Sequence, residues 1–175
     1  MLEFSDANAK LRHLPAILAY ARNNIKKGTL YSFDLPAGKT CPGARECKST
    51  AVKTPDGWRI KDGPNCRYRC YSASQEVFLA NVREKRQRNL NALRKLRTPR
   101  QIADAFHQDI PKDCTILRMH TSGDFFKRAY FEGVMLFAIK HRDILIYAYT
   151  KAIPYWVEFR RTILALPNYH LTASL

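Results

Sequence analysis

Four of the five cysteines lie close together in the sequence. Cys41 and Cys47 belong to CPGAREC, Cys66 and Cys70 belong to CRYRC, and Cys114 stands apart. The sequence begins without the apolar stretch of a secretion signal, so we expect a reducing compartment, where disulfides are rare. The segment from 37 to 72 is rich in proline and glycine and has almost no apolar periodicity. Because a bound metal would supply the folding energy that such a loop lacks, we predict a metal centre of four thiolates.

The spacing inside the two motifs leaves the identity of the metal open. Five residues separate the first two cysteines and three separate the second two. Common zinc ribbons use pairs that are two residues apart, so an iron–sulfur cluster is as compatible with this spacing as zinc. The alternative is a set of ordinary thiols that pack as small apolar side chains.

Three further residues with catalytic chemistry follow runs of strand-forming residues. His120 and Asp124 lie within TILRMHTSGDFF, where the predicted strand runs into a turn, and Lys151 comes directly after DILIYAYT. Ligands of parallel α/β sheets bind at the carboxyl ends of the strands, where an imidazole, a carboxylate and an ammonium suit proton transfer or phosphate binding. The alternative is turn chemistry, because Ser-Gly-Asp is a common turn and N-cap sequence before a helix.

A strongly basic stretch lies between residues 83 and 100, where eight cations face a single acid, Glu84. The cations are Arg83, Lys85, Arg86, Arg88, Arg94, Lys95, Arg97 and Arg100. Such an imbalance is costly unless an anion neutralises it, and the excess of arginine favours bidentate contacts with phosphate. We predict that these residues bind nucleic acid, the alternative being a solvated helix face. Tyr68, Arg69 and Tyr71 would add stacking on unpaired bases.

Length and composition agree with a basic globular protein of one domain spanning residues 1–175. The 175 residues carry 30 Lys and Arg against 15 Asp and Glu, a formal charge of +15, and 46% of them are apolar. This apolar content excludes a disordered chain, and no apolar run is long enough to span a bilayer. We therefore expect a cytoplasmic protein with nucleic acid as its partner and no membrane contact.

The expected elements alternate between strands and helices. Helices are predicted over 7–27, 73–98, 101–110, 128–141 and 153–166, and strands over 29–36, 115–126, 143–150 and 169–175. The 73–98 helix, ended by Pro99, carries most of the basic stretch and gives a basic helical region over 73–100. Alternation of this kind predicts the α/β class, with parallel βα units joined by right-handed crossovers. We expect a partial or half-barrel-like sheet with the cysteine-rich metal loop, 37–72, after the first strand.

Five sequence blocks resemble the phage "gene product 88" domain family, and they occur in the family's order over nearly the whole chain. The blocks are FDLPAGKTCPGAREC, KDGPNCRYRCYSAS, MHTSGDFF, YAYTKAIPYW and HLTAS. The resemblance implies a phage or prophage origin, an association with replication, and a location in the cytoplasm of an infected bacterium.

The order of the motifs is also similar to that of the radical S-adenosylmethionine barrel. In that fold a cysteine loop after the first strand holds an iron–sulfur cluster, and a Gly-Gly-Glu motif after the second strand holds the methionine amine. The resemblance implies that Ser122-Gly123-Asp124 takes the place of that motif and that S-adenosylmethionine is a cofactor. The sequence departs from the pattern in its cysteine spacing and in having four such strands where six are expected.

Three functions follow from these observations. The first is a phage protein that binds zinc or an iron–sulfur cluster and engages nucleic acid in replication or host takeover. The second is an iron–sulfur enzyme similar to the radical S-adenosylmethionine family. The third is a binding-only inhibitor of a host nucleoprotein. Whether the protein is an enzyme is left open by the sequence.

Overall fold

A computed structural model describes residues 1–6 and 29–174 of the chain. The elements, in chain order, are β1 (Ser5–Asp6), β2 (Thr29–Phe33), β3 (Ser49–Thr54), β4 (Gly57–Asp62), α1 (Tyr71–Phe78), α2 (Ala80–Lys95), α3 (Pro99–Asp109), β5 (Cys114–Met119), α4 (Arg128–Lys140), β6 (Leu145–Thr150), α5 (Ile153–Leu164) and β7 (Tyr169–Ala173). The helix predicted over 7–27 lies outside the described residues. No helix in the described part is long and apolar enough to cross a membrane.

The main sheet has five strands in the order β1-β2-β5-β6-β7. The last four strands run parallel, as predicted, and β1 pairs antiparallel with β2. The described strands do not close into a barrel, so the half-barrel-like arrangement is corrected to an open sheet. The strand β1 pairs antiparallel with β2 at one edge of the sheet. A parallel barrel would need a further parallel strand there.

The central strands β5 and β6 are largely buried, which agrees with their nearly continuous apolar sequences. Aromatic side chains fill much of the core: the ring of Phe106 lies 4.8 Å from Phe33 and 5.7 Å from Phe137, between centroids. Phe106 belongs to α3, which begins at a capping box. In that box the Thr98 hydroxyl accepts from the Gln101 amide, and the Gln101 side chain accepts in return from the Thr98 amide.

The segment from 37 to 72 is not the unstructured loop that the sequence suggested. It contains an antiparallel hairpin, in which Ser49 pairs with Asp62 and Thr54 with Gly57. The turn residues Pro55 and Asp56 precede Gly57, whose φ of 111° is available to glycine at little cost. Pro-Asp-Gly is a turn sequence, so the hairpin had a local signal that the lack of longer periodicity concealed.

The predicted helix over 73–98 is two helices, α1 and α2, separated at Leu79. The backbone of Leu79 is extended, with φ −111° and ψ 96°. The break allows the two helices to follow different directions, so the apolar residues of 73–98 do not form one continuous stripe. Helix α2 ends at Lys95, and thus Arg97 and Arg100 lie beyond it.

Gly133 of α4 lies against α3, and this contact yields a test of the packing. A Cβ at position 133 would lie 2.7 Å from the Ile102 Cβ and 2.9 Å from the Pro99 carbonyl oxygen. Alanine favours a helix by about 1 kcal/mol over glycine. We nevertheless expect Gly133→Ala to lower the free energy of unfolding by about 1–3 kcal/mol, because the two helices must separate. Denaturant unfolding would measure the change. Lys140→Ala, at an exposed position of α4, should change stability by less than about 0.5 kcal/mol, and a stabilised Gly133→Ala protein would contradict the packing.

Candidate functional site

The cysteine-bearing segment, residues 37–70, lies over the carboxyl ends of β5 and β6. Gly43 approaches the end of β6 so closely that a Cβ there would overlap the carbonyl oxygen of Lys151. Gly123, in the turn after β5, has a φ of 82°, and a Cβ there would overlap the Thr40 hydroxyl. Glycine is therefore required at both positions, and the segment is held directly on the sheet edge where α/β proteins bind their ligands.

Asp34, which directly follows β2, joins the ends of β2 and β5. Its Oδ1 accepts hydrogen bonds from the Thr121 amide (2.7 Å), the Thr121 hydroxyl (2.6 Å) and the Ser122 amide (3.2 Å). The side chain is buried, and its Oδ1 accepts from backbone amides that have no hydrogen-bond partner in a neighbouring strand. Asp34 was missed because the strand predicted over 29–36 includes it, whereas β2 ends at Phe33.

Asp124 makes the equivalent connection between β5 and β6. Its Oδ1 accepts from the Phe125 amide (2.7 Å) and the Thr150 hydroxyl (2.6 Å), and its Oδ2 accepts from the Lys151 amide (2.7 Å). Burial raises the pKa of Asp124, whereas these hydrogen bonds lower it. A residue that is 4% exposed and accepts three hydrogen bonds is built to hold two strand ends together.

Glu76 of α1 is a third buried carboxylate beneath the segment, and it too was missed. Its Oε1 accepts from the Ala37 amide at 2.9 Å, from the Ser122 hydroxyl at 3.4 Å, and from Arg86 Nη1 at 3.0 Å. One side chain thus links the start of the cysteine segment, the turn after β5 and helix α2. No local sequence signal marks this role, because the partners are distant in the chain.

His120 is enclosed in the core beside this edge. Its Nε2 lies 2.9 Å from the Tyr130 hydroxyl, while its Nδ1 has no hydrogen-bond partner among the described residues. Burial, with a smaller contribution from Arg118, lowers the pKa of His120 to about 3. The imidazole is therefore neutral at pH 7 and 4% exposed, which does not favour exchange of protons with a solvent-borne ligand.

Lys151 differs from the other two predicted catalytic residues because it lines an open cleft. The cleft has a volume of about 350 Å³ between the cysteine segment and the ends of β6 and β7. Its lining includes Arg45 and Tyr68 from the segment and Ser174 beyond β7. Lys151 Nζ donates to the Ser174 carbonyl oxygen at 2.8 Å. The structure thus places His120 and Asp124 inside the protein and Lys151 at its surface.

The two cysteine motifs are joined to each other by backbone hydrogen bonds. The Glu46 carbonyl oxygen, next to Cys47, accepts from the amides of Arg67 at 2.7 Å and Tyr68 at 3.2 Å. At the start of the hairpin, the Ser49 hydroxyl lies 3.5 Å from the Cys66 Sγ and accepts from the Cys70 amide at 3.2 Å. These contacts bring together motifs that the hairpin separates in sequence.

Cys41 lies near Cys47 and Cys70, but the four thiols do not form a ready ligand shell. Burial is the main cause of a pKa of about 12 at Cys41, with smaller raising contributions from nearby Asp124, Cys70 and Cys47. The thiol of Cys47 is also the main cause of a raised pKa at Tyr68. Across residues 1–6 and 29–174, no three side chains of His, Cys, Asp or Glu are gathered closely enough to hold a metal ion. Thiolates suit zinc and iron–sulfur clusters, so the donor set fits chemically but is not pre-arranged.

Half of the predicted nucleic-acid contacts are instead used within the protein. Arg86 was expected on the solvent face, but it is buried in the ion pair with Glu76, so this prediction is wrong. Arg88 makes a two-point ion pair with Glu3, with N–O distances of 2.5 and 3.0 Å. Arg83 lies 4.1 Å above the Trp58 ring, and Lys85 Nζ contacts the Ser5 hydroxyl.

The other four cations form an exposed patch at the junction of α2 and α3. We call it the junction patch; it consists of Arg94, Lys95, Arg97 and Arg100, and all four residues are exposed. Within the described part of the chain, none of them pairs with an acid. Arg100 lies in the first turn of α3, where the helix dipole disfavours a cation and no acidic residue is present.

Together, fold and site define an α/β protein with an open, mostly parallel sheet, whose carboxyl edge is covered by a cysteine-bearing segment. A family model described as Gene product 88 matches residues 2–175. The chain therefore belongs to this phage-type gene product family, and the resemblance noted in the sequence is confirmed. Neither the curated proteins nor the solved structures gave a match.

Because His120 is buried in its neutral form, we expect the folded protein to lose stability as the pH falls. Below pH 6.5 an unfolded histidine takes up a proton that the folded protein, with a pKa of about 3, does not. This residue's contribution is complete above pH 6.5 and should decrease by on the order of 4 kcal/mol as the pH falls towards 3. We expect His120→Asn, which tolerates the positive φ, to be less stable at pH 7 but to lose less stability on acidification.

Denaturant unfolding at a series of pH values would measure both proteins. The exposed His170 supplies a control, because His170→Asn should leave the pH dependence of the parent unchanged. Equal pH dependence in the parent and the His120→Asn protein would contradict a neutral, buried His120.

Proposed function

We propose that this phage-type protein binds a metal centre through Cys41, Cys47, Cys66 and Cys70. The observation that carries the proposal is the pairing of the two cysteine motifs through the Glu46 carbonyl oxygen and the Ser49 hydroxyl. This pairing places four half-buried free thiols in one folded segment at the carboxyl edge of the sheet. The fifth, Cys114, is buried in β5 and outside the proposed set.

Metal binding in this proposal includes a closing movement of the segment. The four thiols do not form a ligand shell in this structure, so a rearrangement of the two motifs must accompany binding. A bound metal would supply folding energy to a segment whose side chains are mostly exposed or half-buried. The segment is anchored at Gly43 and Ala37, so closure would stabilise its contacts with the sheet edge. Zinc and an iron–sulfur cluster both suit four thiolates.

Serine substitution tests the proposed ligands one at a time. We expect the parent, purified without oxygen, to hold zinc or iron, and each of four variants to lose most of it because a thiolate ligand is missing. The four are Cys41→Ser, Cys47→Ser, Cys66→Ser and Cys70→Ser. The matched control is Cys114→Ser, which should retain the full metal content. Elemental analysis gives the amount, and absorption spectra distinguish a cluster from zinc.

Thermal melting supplies a second readout of the same proposal. The melting temperature of the parent should fall when a chelator removes the metal, and that of the four ligand variants should not. A parent that takes up neither zinc nor iron on reconstitution would overturn the proposal. Undiminished metal in a variant that lacks two of the four thiols would do the same.

A second proposed function is nucleic-acid binding by the junction patch in the cytoplasm of the infected cell. The specific observation is that the patch is exposed and has no acidic partner among the described residues, while other cations of the basic stretch have partners inside the protein. Phosphate groups would neutralise the four charges, including that of Arg100 at the start of α3. Exposed Tyr68 and Tyr71, 51% and 74% accessible, are available to stack on unpaired bases.

The salt dependence of binding tests the junction patch. Replacing Arg94, Lys95, Arg97 and Arg100 by Gln should weaken binding to all single-stranded sequences alike. It should also lower the slope of log K against log salt by roughly three units, because each phosphate contact contributes about 0.7. The matched control replaces the same residue types elsewhere, at the exposed positions Lys140, Arg142, Arg160 and Arg161. Equal slopes for the two quadruple variants would contradict the proposal, because the junction patch would then contribute no more to binding than positive charge elsewhere on the surface.

The other two functions have less support. An enzyme of the radical S-adenosylmethionine type would use Asp124 to hold the methionine amine, but the oxygens of Asp124 already accept three hydrogen bonds inside the protein. Binding of a host nucleoprotein has no specific surface among the described residues. We therefore propose neither S-adenosylmethionine as a cofactor nor a host nucleoprotein as a partner, and a role in replication stays a prediction.

A further inference from the structure

A second positively charged cleft lies beside the cysteine segment, and Arg45 lines both this cleft and the one that contains Lys151. Its volume is about 440 Å³, within the range of ligand pockets. It is formed where the loop before β3 meets the end of β4, and its lining includes Arg45, Lys48, Lys61 and Asp62. The sequence analysis assigned no role to any of these four residues.

The local acids are already neutralised by other arginines. Asp62 is paired with Arg69 at an N–O distance of 2.8 Å, and Glu46 is paired with Arg67 at 3.3 Å. Within the described chain, Arg45, Lys48 and Lys61 have no acidic partner. Three like charges therefore converge on one cleft, an arrangement that a bound anion would stabilise.

The backbone around the cleft holds the cations in a defined arrangement. The Gly63 amide donates to the Lys48 carbonyl oxygen at 2.6 Å, directly beyond the last paired residues of the hairpin. Lys61 is paired across the hairpin with Thr50, which also lines the cleft. Lys61 thus lies within the end of the ladder that is opposite the hairpin turn, and Lys48 directly precedes it.

We propose that this cleft binds a phosphate group, supplied either by a free nucleotide or by the backbone of a nucleic acid. Arg45 would make the bidentate contact that arginine forms with phosphate oxygens, and the two lysines would add point charges. The volume exceeds that of a single phosphate and leaves room for an attached sugar. No proposed metal ligand and no residue of the junction patch lines this cleft, although Arg45 and Lys48 lie within two residues of Cys47.

The test compares two double variants that lose the same charge. Lys48→Gln with Lys61→Gln removes two cations from the cleft, and Lys53→Gln with Lys112→Gln removes two exposed lysines elsewhere. Calorimetric titration would use inorganic phosphate, ADP and a single-stranded oligonucleotide. We expect the cleft variant to bind at least tenfold more weakly and the control variant to stay within twofold of the parent. Loss of ADP binding identifies a free nucleotide as the source, and loss of oligonucleotide binding alone identifies the nucleic-acid backbone.

Charge-conserving variants keep the result interpretable. Lys48→Arg with Lys61→Arg should retain binding, and Arg45→Gln alone should weaken it, even if the double glutamine variant folds poorly. Unchanged metal content and an unchanged effect of the junction-patch substitutions would separate this site from both proposed functions. The proposal is overturned if the parent binds none of the three probes, or if the cleft and control variants bind equally.

Discussion

The fold depends on hydrogen-bond acceptors for the backbone amides at the carboxyl ends of the strands, because the cysteine segment covers these amides. Three buried carboxylates meet this requirement. Asp34 accepts from the turn after β5, Asp124 accepts from the ends of β5 and β6, and Glu76 accepts from Ala37 where the cysteine segment begins. A buried amide without an acceptor costs about 1–3 kcal/mol, so these acceptors allow the segment to lie directly on the sheet.

This solution determines where chemistry is available. At the ends of β5 and β6, where α/β proteins usually place catalytic groups, the carboxylate oxygens of Asp124 accept hydrogen bonds from the protein itself, and His120 is neutral and enclosed. Accessible groups lie further out, in the segment that covers the edge: the four thiols, Lys151 beside the smaller cleft, and the cations of the larger one. The site is therefore built on the covering segment, with the sheet as its support.

Some of the basic residues form contacts inside the protein, and others remain exposed. Arg86 and Arg88 neutralise acids of the protein itself, and Arg83 stacks on Trp58. The junction patch and the cleft beside the hairpin remain exposed without acidic partners in the described chain. A formal charge of +15 thus overstates the positive surface that is available to a polyanion.

The sequence by itself predicted the alternation of the four parallel strands with helices, the parallel direction of these strands and the family, but neither β1 nor the β3–β4 hairpin. Those properties follow from apolar periodicity and from motifs that are local along the chain, as in β5, α4 and β6. Only the tertiary structure decided that Arg86 is buried, that Glu76 is its partner, and that the helix of 73–98 is interrupted at Leu79. The physical reason is that an arginine has the same local pattern on a solvated face as in a buried ion pair. The environment of Arg86 is set by Glu76 and by a loop, and only the fold brings these close to the arginine.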